Sequence, residues 1–199
     1  MFILGTTNFG QKYNGSELSK KECFKILEEY KKLGGVYLDT AFNYGNAQEI
    51  IGEFGADLFK INTKSWHDGE LEKSLEILKV NKIYSCMTRD STHWIGYVLK
   101  QRVKKGIIEK WGSSIYYPHE LRGDANITFI PFTKYFLDYM PVMMLHGDVW
   151  IRSYFNLDSN LTSEDFKKYE RKDLGHEVHF VGGVDNVFQL RENMEFFNA

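Results

Sequence analysis

The stretch LDTAFNYGNAQEIIG, residues 38–52, decides how this chain is read. An apolar run, Val36 to Leu38, ends in Asp39; Tyr44 follows five residues later, then Gly45, and a helix-like segment carries Ile50 and Ile51. A buried strand that finishes on a carboxylate with a tyrosine just beyond it needs explaining, and the explanation depends on the flanking segments.

Upstream, Phe2–Leu4 is a short apolar run that ends in Gly5-Thr6-Thr7. Ser19 and Glu22 have the spacing of a capping box, and Cys23, Ile26, Leu27, Tyr30 and Leu33 follow at helical period until Gly34-Gly35 stops the helix. The strand Val36–Asp39 comes next, then a short helix near Ala47–Phe54. Downstream, Leu58–Thr63 reads as a strand and Gly69–Leu78 as a helix. Lys82–Met87 is strand-like, and Thr92–Lys105 is a helix whose basic end suits its dipole. Ile107–Ile115 is a strand followed by a weak turn or short helix at Pro118–Leu121. Ile127–Phe132 and Val149–Tyr154 are strand-like, with an apolar segment at Tyr139–Leu145 between them. A polar helix at Ser163–Arg171, a last strand at Val178–Val181 and a last helix at Val187–Phe197 complete the chain.

Strand and helix alternate eight times, which implies parallel strands with right-handed crossovers. Eight such units favour a compact (β/α)8 barrel of the TIM type over an open doubly wound sheet, and no GxGxxG follows the first strand. At 199 residues such a barrel needs shortened outer helices, and the weak segments after the fifth, sixth and seventh strands are where the shortening falls. No Pro- or Ser-rich linker divides the chain, so residues 1–199 are expected to form a single barrel domain.

Composition excludes several classes. The chain is 43% hydrophobic and 26% charged, as in an ordinary globular protein. A formal charge of −2 gives no electrostatic reason to expect nucleic acid or a membrane surface as partner. Aromatic residues make up 16%, enough for a thick core or an aromatic-walled pocket. Cys23 and Cys86, the only cysteines, fall on a predicted helix face and inside a predicted strand, and read as buried thiols. The opening MFILG lacks the pattern of a signal peptide, and no apolar stretch approaches the ~20 residues of a membrane span. The expected location is therefore the cytoplasm, and the N-x-[ST] matches at Asn14 and Asn160 read as chance.

In a parallel barrel the reactive groups lie at the C-terminal ends of the strands. Asp39 ends the second strand, Tyr44 lies in the loop after it, and Lys64 ends the third in KINTKSW. A tyrosine titrates at about 10, so alone it is a poor proton donor near neutrality. A nearby lysine favours the phenolate, and the carboxylate holds the lysine in place. Such a trio suits protonation of an oxyanion as it forms. Taken singly, Asp39 could cap a turn, Tyr44 pack on the rim and Lys64 be solvated; three in register on adjacent strands argue against that.

These residues carry a resemblance. LDTAFNYG with KINTKSW resembles the aldo-keto reductase superfamily, whose members are (β/α)8 barrels that use NADPH or NADH. LGTTNFGQKYNG looks like the family's opening strand, GSSIYYPHEL is similar to its fifth-strand segment, and WIRSYFN to the RSxF segment of its seventh strand in the shorter bacterial members. VGGVDNVFQLREN resembles the closing dinucleotide-binding strand and helix. The resemblance implies an NAD(P)H-dependent oxidoreductase that reduces an aldehyde, ketone or keto acid to an alcohol by hydride transfer. It makes Tyr44 the general acid, Lys64 its activator and Asp39 the partner of Lys64. Ser114 matches the serine that holds the nicotinamide carboxamide, and the Gly182–Gly183 turn with Asp185 and Asn186 matches the site of the adenosine phosphates. Glu192 and Asn193 match residues that face the adenine. The phosphate site agrees with the affinity of a helix N-terminus for anions. No metal is implied.

Several positions depart from the family pattern. Arg89 stands where a catalytic histidine is usual, in SCMTRDS, and Gln48 where a glutamate is usual. In ITFIPFTKYF, Phe129 and Thr133 replace carboxamide-contacting residues. Gly183 and Gln189 occupy positions where basic residues often grip the 2′-phosphate, which leaves NADP against NAD open. Arg89 has two readings: a fixed positive donor to a substrate oxygen or carboxylate, or the mark of a member that has lost chemistry and pairs with Asp39 or Asp90. His93 and His146 are rim candidates for the missing imidazole, with exposed loop histidines as the plainer account. Phe42, Trp66 and Trp94 could wall a substrate pocket or simply pack on the rim. HEVH at 176–179 has metal-like spacing, but on a strand its two histidines face opposite sides, which excludes a shared metal. The run KKYERKDLGHE, 167–177, reads as a solvated helix face.

Two further classes stay open beside the reductase. One is a catalytically silent binding or regulatory protein on the same barrel, favoured by Arg89, Phe129 and Gln189. The other is a phosphate-binding barrel isomerase or lyase, which would account for the glycines before the last helix but not for the Tyr–Lys–Asp trio.

Overall fold

Alternation of inward and outward side chains along short parallel strands produces a closed eight-stranded barrel with order β1 to β8. A computed structural model of the chain describes residues 1–13, 15, 17–89, 93–131, 147–152 and 177–198. The strands are β1 (Phe2–Gly5), β2 (Tyr37–Asp39), β3 (Lys60–Ser65), β4 (Ile83–Arg89), β5 (Ile108–Ser114), β6 (Ile127–Pro131), β7 (Asp148–Arg152) and β8 (Val178–Gly182). All neighbours are parallel, and β1 closes on β8 through Phe2↔Phe180 and Ile3↔Val181. This is a (β/α)8 TIM-type barrel.

Five α-helices are described: α1 (Lys20–Lys32), α2 (Ala47–Phe54), α3 (Glu70–Leu78), α4 (His93–Lys104) and α5 (Val187–Asn198). Helix α1 starts where the capping box predicts, with Glu22 N–H donating to Ser19 Oγ at 3.4 Å and Ser19 N–H to Glu22 Oε2 at 2.9 Å. Its buried stripe is Cys23, Ile26, Leu27 and Tyr30. The Tyr30 hydroxyl lies 2.8 Å from the Tyr37 carbonyl oxygen, which ties the helix to the strand it precedes. None of the helices among the described residues is long and apolar enough to cross a membrane.

Two expectations about strand starts need correcting. Leu58 lies in a 3-10 turn, Ala56–Leu58, and is 43% exposed, so β3 begins two residues later at Lys60. Val36 is also exposed and precedes β2. In both cases an apolar side chain sits just outside the ladder, where hydrophobicity alone cannot mark the boundary. The connection from β5 to β6 has only a 3-10 turn, Pro118–Glu120, and no α-helix. Glu120 Oε2 accepts the N–H groups of Tyr116 (2.7 Å) and Tyr117 (3.0 Å), so one carboxylate organises the turn. The predicted apolar segment Tyr139–Leu145 and the helix Ser163–Arg171 fall outside the described residues.

The core has two layers. One lies between the barrel and its helices and includes Phe2, Leu4, Tyr30, Leu38, Ile61, Cys86 and Trp111. The other fills the barrel: Ile3, Tyr37, Tyr84, Met87, Ile127, Phe129, Trp150 and Val181. Trp150 is fully buried, stacked on Tyr84 at 6.5 Å and set edge-on to Tyr37 at 6.0 Å. It closes the lumen below the strand ends where the reactive side chains gather.

His179 lies in that plug, 5.7 Å from the Tyr37 ring and 6.0 Å from Trp150. Burial lowers its pKa to about 4 from 6.5, although Glu177 lies 3.2 Å from its Nε2, so at neutral pH it is an uncharged imidazole. The folded protein therefore binds fewer protons than the unfolded chain between these values. Stability from this group is complete above pH 6.5 and is lost as the pH falls towards 4, by about 3 kcal/mol. Urea unfolding at a series of pH values should show this slope, and His179→Gln should flatten it; an unchanged slope in the variant would refute the assignment.

Candidate active site

Register brings the first two predicted groups together. Asp39 pairs with Asn62 across β2 and β3, and Lys64 follows two residues further on, on the same side of β3 as Asn62. Lys64 Nζ lies 2.6 Å from Asp39 Oδ1 and 2.7 Å from Oδ2, and also donates to the Thr40 carbonyl at 3.2 Å. Asn62 Nδ2 donates to Asp39 Oδ1 at 2.7 Å, while Ser85 Oγ holds Asn62 Oδ1 at 2.8 Å. Asp39 and Lys64 are only 3% and 2% exposed. Burial works against the ammonium, yet the charge of Asp39 and the hydrogen bonds it accepts outweigh burial and raise the Lys64 pKa above its usual value. Asn62 and Ser85 were not anticipated from sequence. The one available signal was the two-residue spacing of Asn62 and Lys64 in KINTKSW, which puts both on one face of a strand.

Tyr44 is held by a tight loop. Its N–H donates to the Ala41 carbonyl at 3.1 Å, and its carbonyl accepts from Ala47 N–H at 2.9 Å. Gly45 follows at φ +49°, and a Cβ there would lie 2.7 Å from Gln11 Cβ, so both backbone and space demand glycine. The loop presents the half-buried Tyr44 ring to Lys64, whose Nζ is 5.1 Å from the ring centroid. Phe129 covers the same ammonium at 4.9 Å. Gln48, on α2, is buried and donates through Nε2 to Thr63 Oγ1 at 2.9 Å, bracing β3 from outside the lumen.

The opposite rim is cationic. Arg89 ends β4 in register with Ser114, which ends β5 and is buried; Ser114 in turn pairs with Phe129 of β6. Arg89 Nη2 donates to the Tyr116 hydroxyl at 3.4 Å, and its Cζ stands 4.4 Å above the Trp66 ring. It forms no ion pair among the described residues, and the Asp39 oxygens are occupied by Lys64 and Asn62. The pairing of Arg89 with Asp39 that sequence left open is therefore not what the structure contains; Asp90 lies outside the described residues, as do His146, Thr133 and the side chains of His93 and Trp94. Arg152, at the end of β7, was not singled out from sequence. Its Nη2 donates to the Ile115 carbonyl at 3.2 Å, its Cζ lies 4.3 Å from the Tyr116 ring centroid and 5.5 Å from that of Phe129, and its Nε is buried without a partner. The available clues were the RSxF likeness in WIRSYFN, which begins at this arginine, and its position two residues after Trp150 on an alternating strand.

The β8–α5 junction contains the remaining predicted residues. Gly182 ends β8, and Gly5 of β1 must be small there, because a Cβ would meet Gly182 C and Gly183 N at 3.3 Å. Gly183 is exposed, and a Cβ placed on it would make only ordinary contacts, with Gly5 O at 3.8 Å and Asn8 Oδ1 at 3.9 Å. Asn186 accepts Gln189 N–H at 2.9 Å, and Gln189 Oε1 accepts Asp185 N–H at 2.8 Å, a reciprocal cap on α5. Asn8 Nδ2 steadies the turn through Val184 O (2.9 Å) and Asp185 Oδ1 (3.1 Å). Glu192 is exposed, whereas Asn193 is buried and its Nδ2 has no partner. The exposed backbone at Gly183, before the start of α5, and the orphaned Asn193 amide fit a dinucleotide. Gln189, already part of the cap, offers no cation to a 2′-phosphate.

Residues 2–123 match the sequence model of the aldo/keto reductase family. Curated protein sequences contain no match to the chain. Among solved structures, a Pseudomonas aeruginosa protein assigned as an aldo-keto reductase superposes with a TM-score of 0.77 at 17% identity, covering 98% of this chain and 88% of that one. An aldo-keto reductase from Klebsiella pneumoniae in complex with NADPH gives 0.76 at 14% identity, covering 100% and 85%. One from Bombyx mori in complex with NADP gives 0.67 at 15% identity, covering 100% and 84%. At such identities the likeness is one of fold.

The buried pair makes a stability prediction independent of activity. Lys64→Met strands the Asp39 carboxylate in the lumen and should cost about 3–5 kcal/mol in urea unfolding. The double change Asp39→Asn with Lys64→Met leaves no buried charge and should recover most of that loss. Equal losses in the single and double variants would mean the ion pair is not what the single variant disrupts.

Proposed function

The chain belongs to the aldo/keto reductase family, and from that premise we propose that it reduces a small-molecule carbonyl compound (aldehyde, ketone or keto acid) to the alcohol, with Tyr44 as proton donor. Family membership supports an NAD(P)H-dependent carbonyl oxidoreductase in general. The observation that carries the finer reading is the buried Lys64–Asp39 pair lying against the Tyr44 ring.

A reduced nicotinamide dinucleotide, when bound, supplies the hydride. The chain's own residues deal with the proton. Tyr44 Oη protonates the carbonyl oxygen as negative charge develops on it, and the Lys64 ammonium lowers the cost of the phenolate left behind. Lys64 is not itself the donor: a lysine whose pKa is raised holds its proton at neutral pH and acts through its field. Asp39 and Asn62 keep that field aimed by fixing the ammonium, with Ser85 fixing Asn62 in turn. Arg89 takes the place of the usual histidine as a permanent cation on the substrate side.

The Klebsiella pneumoniae and Bombyx mori structures named above contain NADPH and NADP, which supports the same cofactor class here. We assign its carboxamide to Ser114, its phosphates to Gly182, Gly183, Asp185 and Asn186, with Gln189 at the 2′-position, and its adenine to Glu192 and Asn193. A second reading, a silent binding or regulatory barrel, is favoured by one observation: Gln189 is committed to the helix cap where the family often has a cation.

Two outcomes separate these readings. Tyr44→Phe should lower kcat by about 100-fold or more while nucleotide affinity, followed by NADPH fluorescence, changes little, because the phenol acts on the developing alkoxide. Turnover that survives the change would overturn the mechanism, and a wild type that binds neither nucleotide and reduces no aldehyde or keto acid would leave the silent reading. In direct titration, NADPH and NADH should bind within about 100-fold of each other, or 2.7 kcal/mol, since Gly183 and Gln189 offer the 2′-phosphate no cation. A stronger preference for NADPH would show that another group grips it.

A further inference from the structure

We propose that Arg89 and Arg152, joined through Tyr116, form an anion subsite beside the reacting centre, so that the substrate is a carbonyl compound that carries a carboxylate. The inference rests on the carbonyl-reducing reading above and narrows its substrate class.

Tyr116 connects the two guanidinium groups. Arg152 stacks on its ring at 4.3 Å, and Arg89 donates to its hydroxyl at 3.4 Å. The strands that carry the arginines, β4 and β7, are not neighbours in the barrel, and it is the curvature of the sheet through β5 and β6 that brings these groups to one mouth. The subsite adjoins the proton-donating group: Phe129 presents one ring to both Arg152 Cζ (5.5 Å) and Lys64 Nζ (4.9 Å).

The charge balance of the described residues points to an anion. Around this mouth the described cations are Lys64, Arg89 and Arg152, and Asp39 is consumed by Lys64. The nearby carboxylates serve backbone groups: Glu70 accepts the N–H of Trp66 (2.6 Å) and His67 (3.2 Å), and Glu120 those of Tyr116 and Tyr117. Neither arginine has a carboxylate partner among the described residues, and Arg152 has a buried Nε with none at all. A partly desolvated guanidinium is costly, and a carboxylate delivered by the substrate would lower that cost through charge-assisted hydrogen bonds. The neighbours already register the excess. Burial lowers the Arg152 pKa; burial alone would raise that of Tyr116, but Arg89 and Arg152 together bring it down. Arginine's planar fork suits a carboxylate, and the adjacent rings of Tyr116, Trp66 and Phe129 suit the short carbon skeleton of a 2-oxo acid better than a large hydrated group.

The test pairs kinetics with binding. Wild type, Arg152→Met and Arg89→Gln, each checked for folding by thermal unfolding, are assayed with pyruvate and with methyl pyruvate, its uncharged ester. Wild type should favour the acid in kcat/KM by at least ~30-fold, and either variant should bring the acid-to-ester ratio close to one. Oxamate, an unreactive carboxylate, is titrated by calorimetry in the presence and absence of NADP+ and NAD+; its affinity should fall at least ~10-fold in Arg152→Met. If the ester is reduced as well as the acid, or oxamate does not bind wild type, the subsite is refuted while carbonyl reduction stands. If no carbonyl is turned over but oxamate binds and Arg152→Met abolishes this, the subsite stands and the reductase reading falls. A preference for glyceraldehyde 3-phosphate over pyruvate would overturn the carboxylate assignment in favour of phosphate. Loss of nucleotide affinity in the variants as large as the loss for oxamate would assign the arginines to the cofactor and overturn it as well.

Discussion

The Lys64–Asp39 ion pair is the constraint on which the site depends. Two charges with almost no exposure to solvent can remain charged only if each compensates the other and their remaining polar atoms are occupied. Asp39 meets that demand with both oxygens on Lys64 and a third contact from Asn62, whose carbonyl is in turn held by Ser85. The four residues come from β2, β3 and β4, three consecutive strands whose register sets the spacing. A slip of one residue on β3 would turn Asn62 and Lys64 out of the lumen together and leave Asp39 alone. Register and ionisation therefore stabilise each other.

The two ends of the barrel serve different purposes. Below the ion pair, Trp150, Tyr84, Tyr37 and an uncharged His179 form a dry aromatic plug. Lys110 and Asp148, 2.7 Å apart, pair near its outer edge, and Lys60 stands over the Tyr37 and Tyr84 rings. The plug excludes water from one side, which strengthens every electrostatic contact above it. At the other end Tyr44, Arg89, Ser114, Tyr116 and Arg152 open onto the loops. Phe129 sits between these regions and replaces a polar contact expected at its position with a ring face for two cations. That ring allows Lys64 and Arg152 to share one apolar surface with no carboxylate between them among the described residues.

Economy in the outer layer has a local explanation. Between β5 and β6 a single carboxylate, Glu120, collects two backbone N–H groups and replaces the helix that would normally span this crossover. The turn also delivers Tyr116 to the rim, where it separates the two arginines. Shortening the scaffold and shaping the mouth are thus achieved by the same few residues. At the β8–α5 junction the same kind of saving appears: Asn186 Oδ1 accepts the N–H of Gln189, and Gln189 Oε1 accepts that of Asp185, so two side chains cap the helix.

Sequence by itself determined whatever depends on local periodicity and on strand-terminal position. The eight-fold alternation, the Ser19–Glu22 cap, the placement of Asp39 and Lys64 at adjacent strand ends and the family likeness of LDTAFNYG were all legible, because each is encoded within a few consecutive residues. Boundaries at Val36 and Leu58 were misplaced, since an apolar side chain next to a strand looks the same as one inside it. Tertiary structure alone decided what faces what across the lumen. That Asn62 and Ser85 complete the Asp39 shell depends on the register of β2, β3 and β4, and that Arg89 turns to Tyr116 and Trp66 instead of to Asp39, with Arg152 joining it there, depends on how the sheet curves from β4 to β7. Strand pairing and the curvature of the sheet bring together residues whose separation in sequence says nothing of their separation in space, and no periodicity read along one strand can report the side chain that another strand presents to it.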